Sequence, residues 1–202
     1  MPKLCWLLIL WIVPAADSQE TPPSYPLLQP NQEIRVSGLA ALKAPTNDVS
    51  DILAASLEMI FNDRSICCGR DSALEDSVGH ADPRSMKDII ARLQGRHLLS
   101  DGRPMVVTVT DLAPSAVNPS PIVEALRKNH ALLMMWNSRL YVTYGAVFDE
   151  SVYSDGTRTT TINKLLLLDV RHSPSGRELT FTRTRDDWNK VDGLLLVTVA
   201  PQ

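Results

Sequence analysis

The sequence predicts an α+β domain in which helices come first and one mainly antiparallel sheet follows. Two observations support this fold class. The first half contains helical segments with recognisable caps, whereas the second half consists of short apolar or alternating runs. Turn signals such as "WNSR", "YSDGT" and "SPSGR" separate those runs. The chain has 202 residues, of which 44% are hydrophobic and 21% charged, which is an ordinary composition for one globular domain.

Residues 1–18 have the pattern of a signal peptide. Lys3 precedes the apolar run "LCWLLILWIVPAA", which is too short to span a bilayer and leads into a polar segment. Ala16 and Ser18 are small residues at the offsets expected for cleavage before Gln19. We therefore expect an exported protein, periplasmic or extracellular, that is not stably inserted in a membrane after cleavage. An uncleaved anchor is the alternative interpretation.

The mature chain divides into a short lead-in and one domain. Residues 19–33 are rich in Pro, Gln and Ser and show no apolar period, which predicts a flexible lead-in. The domain is expected to span residues 34–202 and to open with the short strand "IRVSGLAAL". The formal net charge is -3, and no basic block stands out, so nucleic acid is not expected as a partner.

Four segments are predicted to form helices. The clearest is "PTNDVSDILAASLEMIFND", capped by Asp48 or Ser50 and apolar on most of its surface. A short helix is expected in "RDSALEDSVGHAD". In "DPRSMKDIIARLQGR", Ser85 is the expected cap and Gly95 the stop. The fourth helix is "PSPIVEALRKN", with Pro121 in its first turn.

The strands are predicted from apolar or alternating runs in the second half. These runs are "RPMVVTVTDL", "HALLMMWNS", "RLYVTYGAVFDE", "INKLLLLDVRH", "ELTFTRTR" and "DGLLLVTVA". Since the turns between most of them are short, neighbouring strands are expected to pair in an antiparallel manner.

Two cysteines remain once Cys5 leaves with the signal peptide. Cys67 and Cys68 are adjacent, and a disulfide between adjacent residues requires a strained geometry. Two free thiols or an intermolecular bridge are the remaining options. The four histidines are scattered, without the paired spacing of metal ligands, so neither a metal nor another cofactor is predicted.

Four stretches, taken in order, resemble secreted bacterial papain-like cysteine peptidases of the branch related to bacteriocin-leader peptidases. "ILAASLEMIFND" resembles the nucleophile helix, and "ICCGRDSALEDSV" resembles the Cys-Cys-Gly segment that often follows it. "NHALLMMW" with "RLYVTYGAVFDE" resembles the histidine strand and the next strand. "KLLLLDVR" resembles the strand that ends in the residue orienting the histidine. The resemblance covers about residues 46–171 and implies a papain-like α+β fold.

The resemblance implies a catalytic site that has lost its nucleophile. In this family a histidine accepts the thiol proton and an Asp or Asn fixes its tautomer. These roles fall on His130 and Asp169. Matching "AAS" to the family's helix start places Ile52 on the nucleophilic cysteine, and isoleucine cannot attack a carbonyl. The upstream Gln that would stabilise the oxyanion is also missing, unless Asn47 replaces it.

The sequence therefore leaves three functional hypotheses. The first is an inactive peptidase relative, a pseudoenzyme whose cleft between helices and sheet holds an extended peptide or a partner segment. The second is an active cysteine peptidase or acyltransferase that uses Cys67 or Cys68 with His130 and Asp169. The third is an unrelated exported α+β binding domain. The structural alternatives are that His130 is a strand-edge residue without a catalytic role, that Asp169 starts a turn, and that the two cysteines form a buried or half-buried thiol pair.

Overall fold

The computed structural model describes residues 25–39, 49–61, 84–99, 101–112, 119–171, 177–183, 186 and 188–201. Within these ranges it contains three α-helices: α1 (Val49–Phe61), α2 (Met86–Leu93) and α3 (Ser120–Arg127). The eight strands are β1 (Leu27–Arg35), β2 (Gly95–Leu98), β3 (Pro104–Asp111), β4 (Leu132–Trp136), β5 (Arg139–Val152), β6 (Arg158–Asp169), β7 (Arg177–Thr182) and β8 (Val191–Pro201).

All eight strands belong to one sheet with the order β2-β3-β8-β4-β5-β6-β7, and β1 pairs with β5. Every one of these pairs is antiparallel. The predicted fold class, α+β with a mainly antiparallel sheet, is therefore confirmed.

Three predicted helices are present at their expected positions. In α2, the Ser85 hydroxyl accepts a hydrogen bond from the backbone N–H of Asp88 at 3.2 Å, so the predicted cap satisfies one of the free donors of the first turn. In α3, Pro121 lies in the first turn, where its missing N–H costs nothing. The helix predicted in "RDSALEDSVGHAD" lies outside the described residues.

Two strands differ from the sequence expectation. Strand β1 begins within the predicted lead-in, at Leu27, so residues 27–33 belong to the sheet. Its side chains are mostly exposed, and Asn31 has a φ of 52° at a register shift, so no apolar alternation marks this strand in the sequence. Gly95, with a φ of 130°, ends α2 as predicted but also opens the short edge strand β2.

Helix α1 packs against β5 in the middle of the sheet. Leu53, Ala55 and Met59 are at most 2% exposed, and each large apolar side chain buried in this way stabilises the fold by about 1.5–3 kcal/mol. The same sheet contains β4, which follows His130, and β6, which ends at Asp169. The predicted packing of a buried helix 49–61 on a sheet with these two strands is confirmed.

The sheet opens beside the first residue of β4. One edge of β5 pairs with β4 over residues 139–143 and then with β1 over residues 145–152. On its other side, β4 pairs with β8 only as far as Leu132 and Leu196, although β8 continues to Pro201. No pair joins β1 to β8 among the described strands. Beyond Leu196, the side of β8 that faces β4 therefore has no paired neighbour among the described strands, and we call this gap in the described pairing the opening.

Candidate functional site

A cleft of about 590 Å³ lies between α3 and the end of β8. Its described lining comprises Leu112, Ser120, Pro121, Glu124, Ala125, Lys128, His130, Leu196 and Thr198. The lining residues that come from α3 and its end follow one another at intervals of one, three or four positions, so they lie along one side of the helix. The opposite side of the helix, with Ile122, Val123 and Leu126 at 1% exposure each, is buried in the core.

Polar contacts hold α3 over the half of the sheet formed by β5 and β6. The guanidinium of Arg127 donates to the Glu150 carboxylate at 3.0 Å and lies 5.4 Å from the centroid of the Phe148 ring. At the other end of the helix, the Ser120 hydroxyl lies 3.4 Å from that of Thr160. Because both ends of α3 are held on this side, the side of α3 that carries Glu124 and Lys128 is left facing the cleft.

The sheet supplies an apolar floor with one hydroxyl. Leu196 and Thr198 are two positions apart in β8 and therefore share one face of the sheet. Leu112 directly follows the neighbouring strand β3. The backbone N–H of Leu112 donates to the carbonyl of Leu194 at 2.7 Å, which fixes the end of β3 against β8. A mostly apolar wall with few polar groups is typical of ligand-binding clefts, and the volume lies in their usual range.

Two opposite charges lie on the helical rim of the cleft. The ammonium of Lys128 is 3.9 Å from the carboxylate of Glu124, and both side chains are more than 60% exposed. Such an exposed pair contributes only about 0.3–0.5 kcal/mol, so a ligand can displace it at little cost. The rim therefore carries no net charge from this pair.

The structure places His130 in this cleft. The residue lies between α3 and β4, is half-buried, and its backbone N–H donates to the carbonyl of Ala125 at 3.0 Å. The preceding Asn129 adopts a φ of 61°, and its side-chain oxygen accepts a hydrogen bond from the backbone N–H of Ser37. This turn ends α3 and directs the chain into the sheet, so the predicted base forms part of the cleft wall.

Asp169 lies at the end of β6 and is held by Arg171. The Nε of Arg171 donates to one carboxylate oxygen at 2.7 Å, and Nη2 donates to the other at 2.5 Å. These hydrogen bonds and the adjacent negative charge hold the pKa of Arg171 above its ordinary value, although burial opposes them. The guanidinium also lies 5.9 Å from the centroid of the Tyr141 ring. Asp169 is only 3% exposed, so this bidentate pair compensates a buried charge.

The strand register separates Asp169 from His130. Strand β5 lies between β4 and β6, and Leu168 is level with Val142, which is level with Leu133. Asp169 is therefore level with Met134, four residues from His130. At about 4.8 Å between strands and 3.4 Å per residue, the two backbones are roughly 10 Å apart across the sheet and roughly 14 Å apart along it. The register therefore does not bring the predicted base and its predicted orienter together, and the contacts of Asp169 with Arg171 favour a structural role.

The remaining predicted site residues lie elsewhere. Ile52 is 7% exposed, belongs to the hydrophobic core, and its carbonyl accepts a hydrogen bond from the buried Ser56 hydroxyl at 2.8 Å. It is not among the described residues that line the cleft, so its contact with the ring of His130 stays a prediction. Cys67 and Cys68 lie outside the described residues.

Sequence reasoning missed most of the cleft wall. Glu124 and Lys128 follow Ser120 at intervals of four residues, a spacing that could have indicated a polar stripe on an amphipathic helix. Nothing in the sequence connects that stripe with Thr198, which comes from the last strand and reaches the cleft through the sheet topology.

No protein-family model, curated protein or solved structure matches this chain. Among the described residues, no helix is long and apolar enough to cross a membrane. The same residues contain no group of three or more His, Cys, Asp or Glu side chains arranged to hold a metal ion. The fold and the site thus define an α+β protein with an open cleft between helix and sheet.

Proposed function

We propose that the protein binds an extended peptide or protein segment in the cleft between α3 and β8 without cleaving it. The observation that carries this proposal is the cleft itself, about 590 Å³ in volume, with an apolar floor and a few polar groups on its rim. A cleft of this shape accommodates a chain segment whose side chains are mostly apolar, because burial of those side chains supplies the binding energy.

Binding without chemistry is supported by the residues at the predicted catalytic positions. Ile52 has no nucleophilic atom, so it cannot attack a carbonyl. The carboxylate of Asp169 accepts one side-chain hydrogen bond from Arg171 at each oxygen, which supports a structural role for it. A histidine base cleaves a peptide by this mechanism only together with a nucleophile, and the position that the resemblance gives to the nucleophile holds isoleucine.

Descent from papain-like peptidases and export through the N-terminal segment remain parts of the proposal. Descent is supported by the order of the elements: a buried helix at Val49–Phe61, then the strand after His130, then the strand that ends at Asp169. It is weakened by the intervening strand β5, which keeps the last two apart. Export is supported by the short apolar run before Gln19.

Selection from a randomised heptapeptide library displayed on phage tests the binding function. The purified chain should enrich a set of peptides, and Thr198→Arg should reduce capture of the enriched pool at least tenfold because the long side chain fills the cleft. Thr161→Arg is the matched control, since Thr161 is an exposed β6 residue outside the cleft lining. Failure to enrich any peptide, or equal capture by both variants, would contradict the proposal.

A second measurement tests the absence of cleavage. Enriched heptapeptides incubated with the protein should remain intact by mass spectrometry. The same incubation tests the alternative enzyme hypothesis, because cleavage that disappears in Cys67→Ala or Cys68→Ala would establish a thiol peptidase instead.

A further inference from the structure

The direction of the main-chain groups in β8 follows from one hydrogen bond. The N–H of Leu112 donates to the carbonyl of Leu194, so the backbone of Leu194 points towards β3. The main-chain N–H and C=O groups of successive strand residues point to opposite edges of the strand. Those of the odd-numbered residues of β8 therefore point towards β4. The last β4–β8 pair joins Leu132 to Leu196, and β8 extends past it.

Val199 therefore directs its N–H and C=O into the opening between β8 and β1. No described strand pairs with β8 on that side beyond Leu196. Pro201 has the same parity as Val199, and proline has no N–H to contribute to a ladder. Proline within a sheet is confined to positions whose N–H side is unpaired, so the sequence agrees with a free edge at this end of β8. We call residues 197–201, on this side, the open edge.

The open edge and the cleft adjoin one another. Leu196 and Thr198 carry the side chains of the cleft floor, and Val199 is the next residue of the same strand. A strand paired antiparallel with the open edge would place its residue opposite Thr198 on the cleft face, because directly opposite residues share a face of the sheet. The residue opposite Val199 would supply the main-chain hydrogen bonds.

We propose that the peptide binds by adding a short antiparallel strand to the open edge, with Val199 exchanging both main-chain hydrogen bonds. This inference rests on the proposed function and specifies the form of its ligand: an extended peptide with an uncharged, apolar side chain opposite Thr198. The floor beneath that side chain is apolar, with Leu112 and Leu196, and the opposite charges of Glu124 and Lys128 on the rim balance. A charge placed over this apolar floor, away from the rim pair, would lose its hydration without gaining a partner.

Substitutions at Val199 test this binding mode with the phage pool enriched on the unmodified chain. Val199→Pro removes the N–H that faces the opening and leaves the hydrogen bonds to β3, which are made by even-numbered residues. Capture should fall about tenfold, as expected when the hydrogen bond donated by Val199 is lost together with the adjacent main-chain hydrogen bond. Val199→Ala keeps the N–H and should capture within about twofold of the unmodified chain.

The outcomes separate this inference from the proposed function. If Thr198→Arg abolishes capture but Val199→Pro does not, the cleft binds peptide without strand addition and the inference is wrong. If neither variant changes capture, the proposed function fails as well. If the unmodified chain is a dimer that Val199→Pro dissociates, the open edge pairs with a second copy, which also overturns the inference.

A scan of the peptide backbone gives a result that does not depend on the folding of Val199→Pro. The most enriched heptapeptide is synthesised with a single N-methyl group at each position in turn. Strand addition predicts that alternate positions lose about tenfold or more in affinity and that the positions between them change little, since only every second N–H faces the partner strand. A profile without this period of two would refute strand addition.

Discussion

Arg127→Met should destabilise the fold more than any comparable substitution of a surface arginine. Arg127 binds Glu150, whose side chain is only 3% exposed, and Arg158 provides the second partner of that carboxylate at 3.1 Å. Removing Arg127 leaves a buried negative charge with one partner that is itself 57% exposed. The expected loss combines a hydrogen bond to a charged group with a cation–π contact to Phe148.

The expected cost is about 2–3 kcal/mol for Arg127→Met. A charged hydrogen bond contributes about 1.5–3 kcal/mol and an exposed cation–π contact about 0.5–1 kcal/mol, and the sum is reduced because the Arg127 side chain is 37% exposed. Arg158→Met should cost about 1 kcal/mol, since Arg127 stays in place. Glu150→Gln should cost less than Arg127→Met, because water can solvate the two freed arginines whereas it cannot reach the buried carboxylate.

Urea unfolding followed by tryptophan fluorescence measures these differences. With a slope near 2 kcal/mol per molar urea, Arg127→Met should lower the midpoint by about 1–1.5 M. Arg35→Met is the matched control, because Arg35 pairs with Glu33 on the surface with 57% and 47% of the two side chains exposed. It should shift the midpoint very little. Equal shifts for the two methionine variants, or a larger shift for Glu150→Gln, would refute the argument from burial.

Three further predictions concern β5 and α1. Gly145→Ala should destabilise the fold by about 1–3 kcal/mol in urea unfolding, because the new Cβ would lie 2.6 Å from the backbone oxygen of Ile34; a cost below about 0.5 kcal/mol would contradict this. Burial raises the pKa of Tyr144 above its ordinary 10.0. The free energy of unfolding should therefore fall as the pH rises through 10, because the tyrosine of the unfolded chain releases its proton first. Ultraviolet titration of the folded protein against Tyr144→Phe measures the raised pKa. In Ile52→Cys, the new thiol should react quickly with iodoacetamide near pH 7 if His130 lies beside it, and a slow, ordinary thiol would mean that it does not.

The sequence predicts those elements whose signals are local. The cap at Ser85 and the proline in the first turn of α3 act within a few residues of themselves, so both helices are where the sequence places them. Strand β1 has no comparable signal, because most of its side chains are exposed. It forms by pairing with β5, whose residues lie more than a hundred positions later in the chain. Register is set by hydrophobic pattern and by turn geometry, and β1 has neither a buried alternation nor a short turn to its partner strand.

The same limit applies to the candidate site. His130 was found from the sequence, and it does lie in the cleft. The resemblance implies Asp169 as its orienter, because the stretch that carries it follows the histidine strand and its neighbour in the chain. The sheet inserts β5 between their strands and gives the carboxylate a partner two residues away, Arg171. Order along the chain does not by itself make two strands neighbours in the sheet, and a shared catalytic role of His130 and Asp169 stays a prediction.

The pairing of β5 changes from one neighbour to another beside the cleft and the open edge. The strand runs for 14 residues and pairs along a single edge first with β4 and then with β1. Its register with β6 shifts between Thr143 and Gly145 and again between Val147 and Phe148, and such bulges increase the local twist of a sheet. Among the described strands, β1 and β8 do not pair, although both extend past the start of β4. Helix α3 packs on the β1–β5–β6 half, and the side of the helix that faces the opening forms the cleft wall.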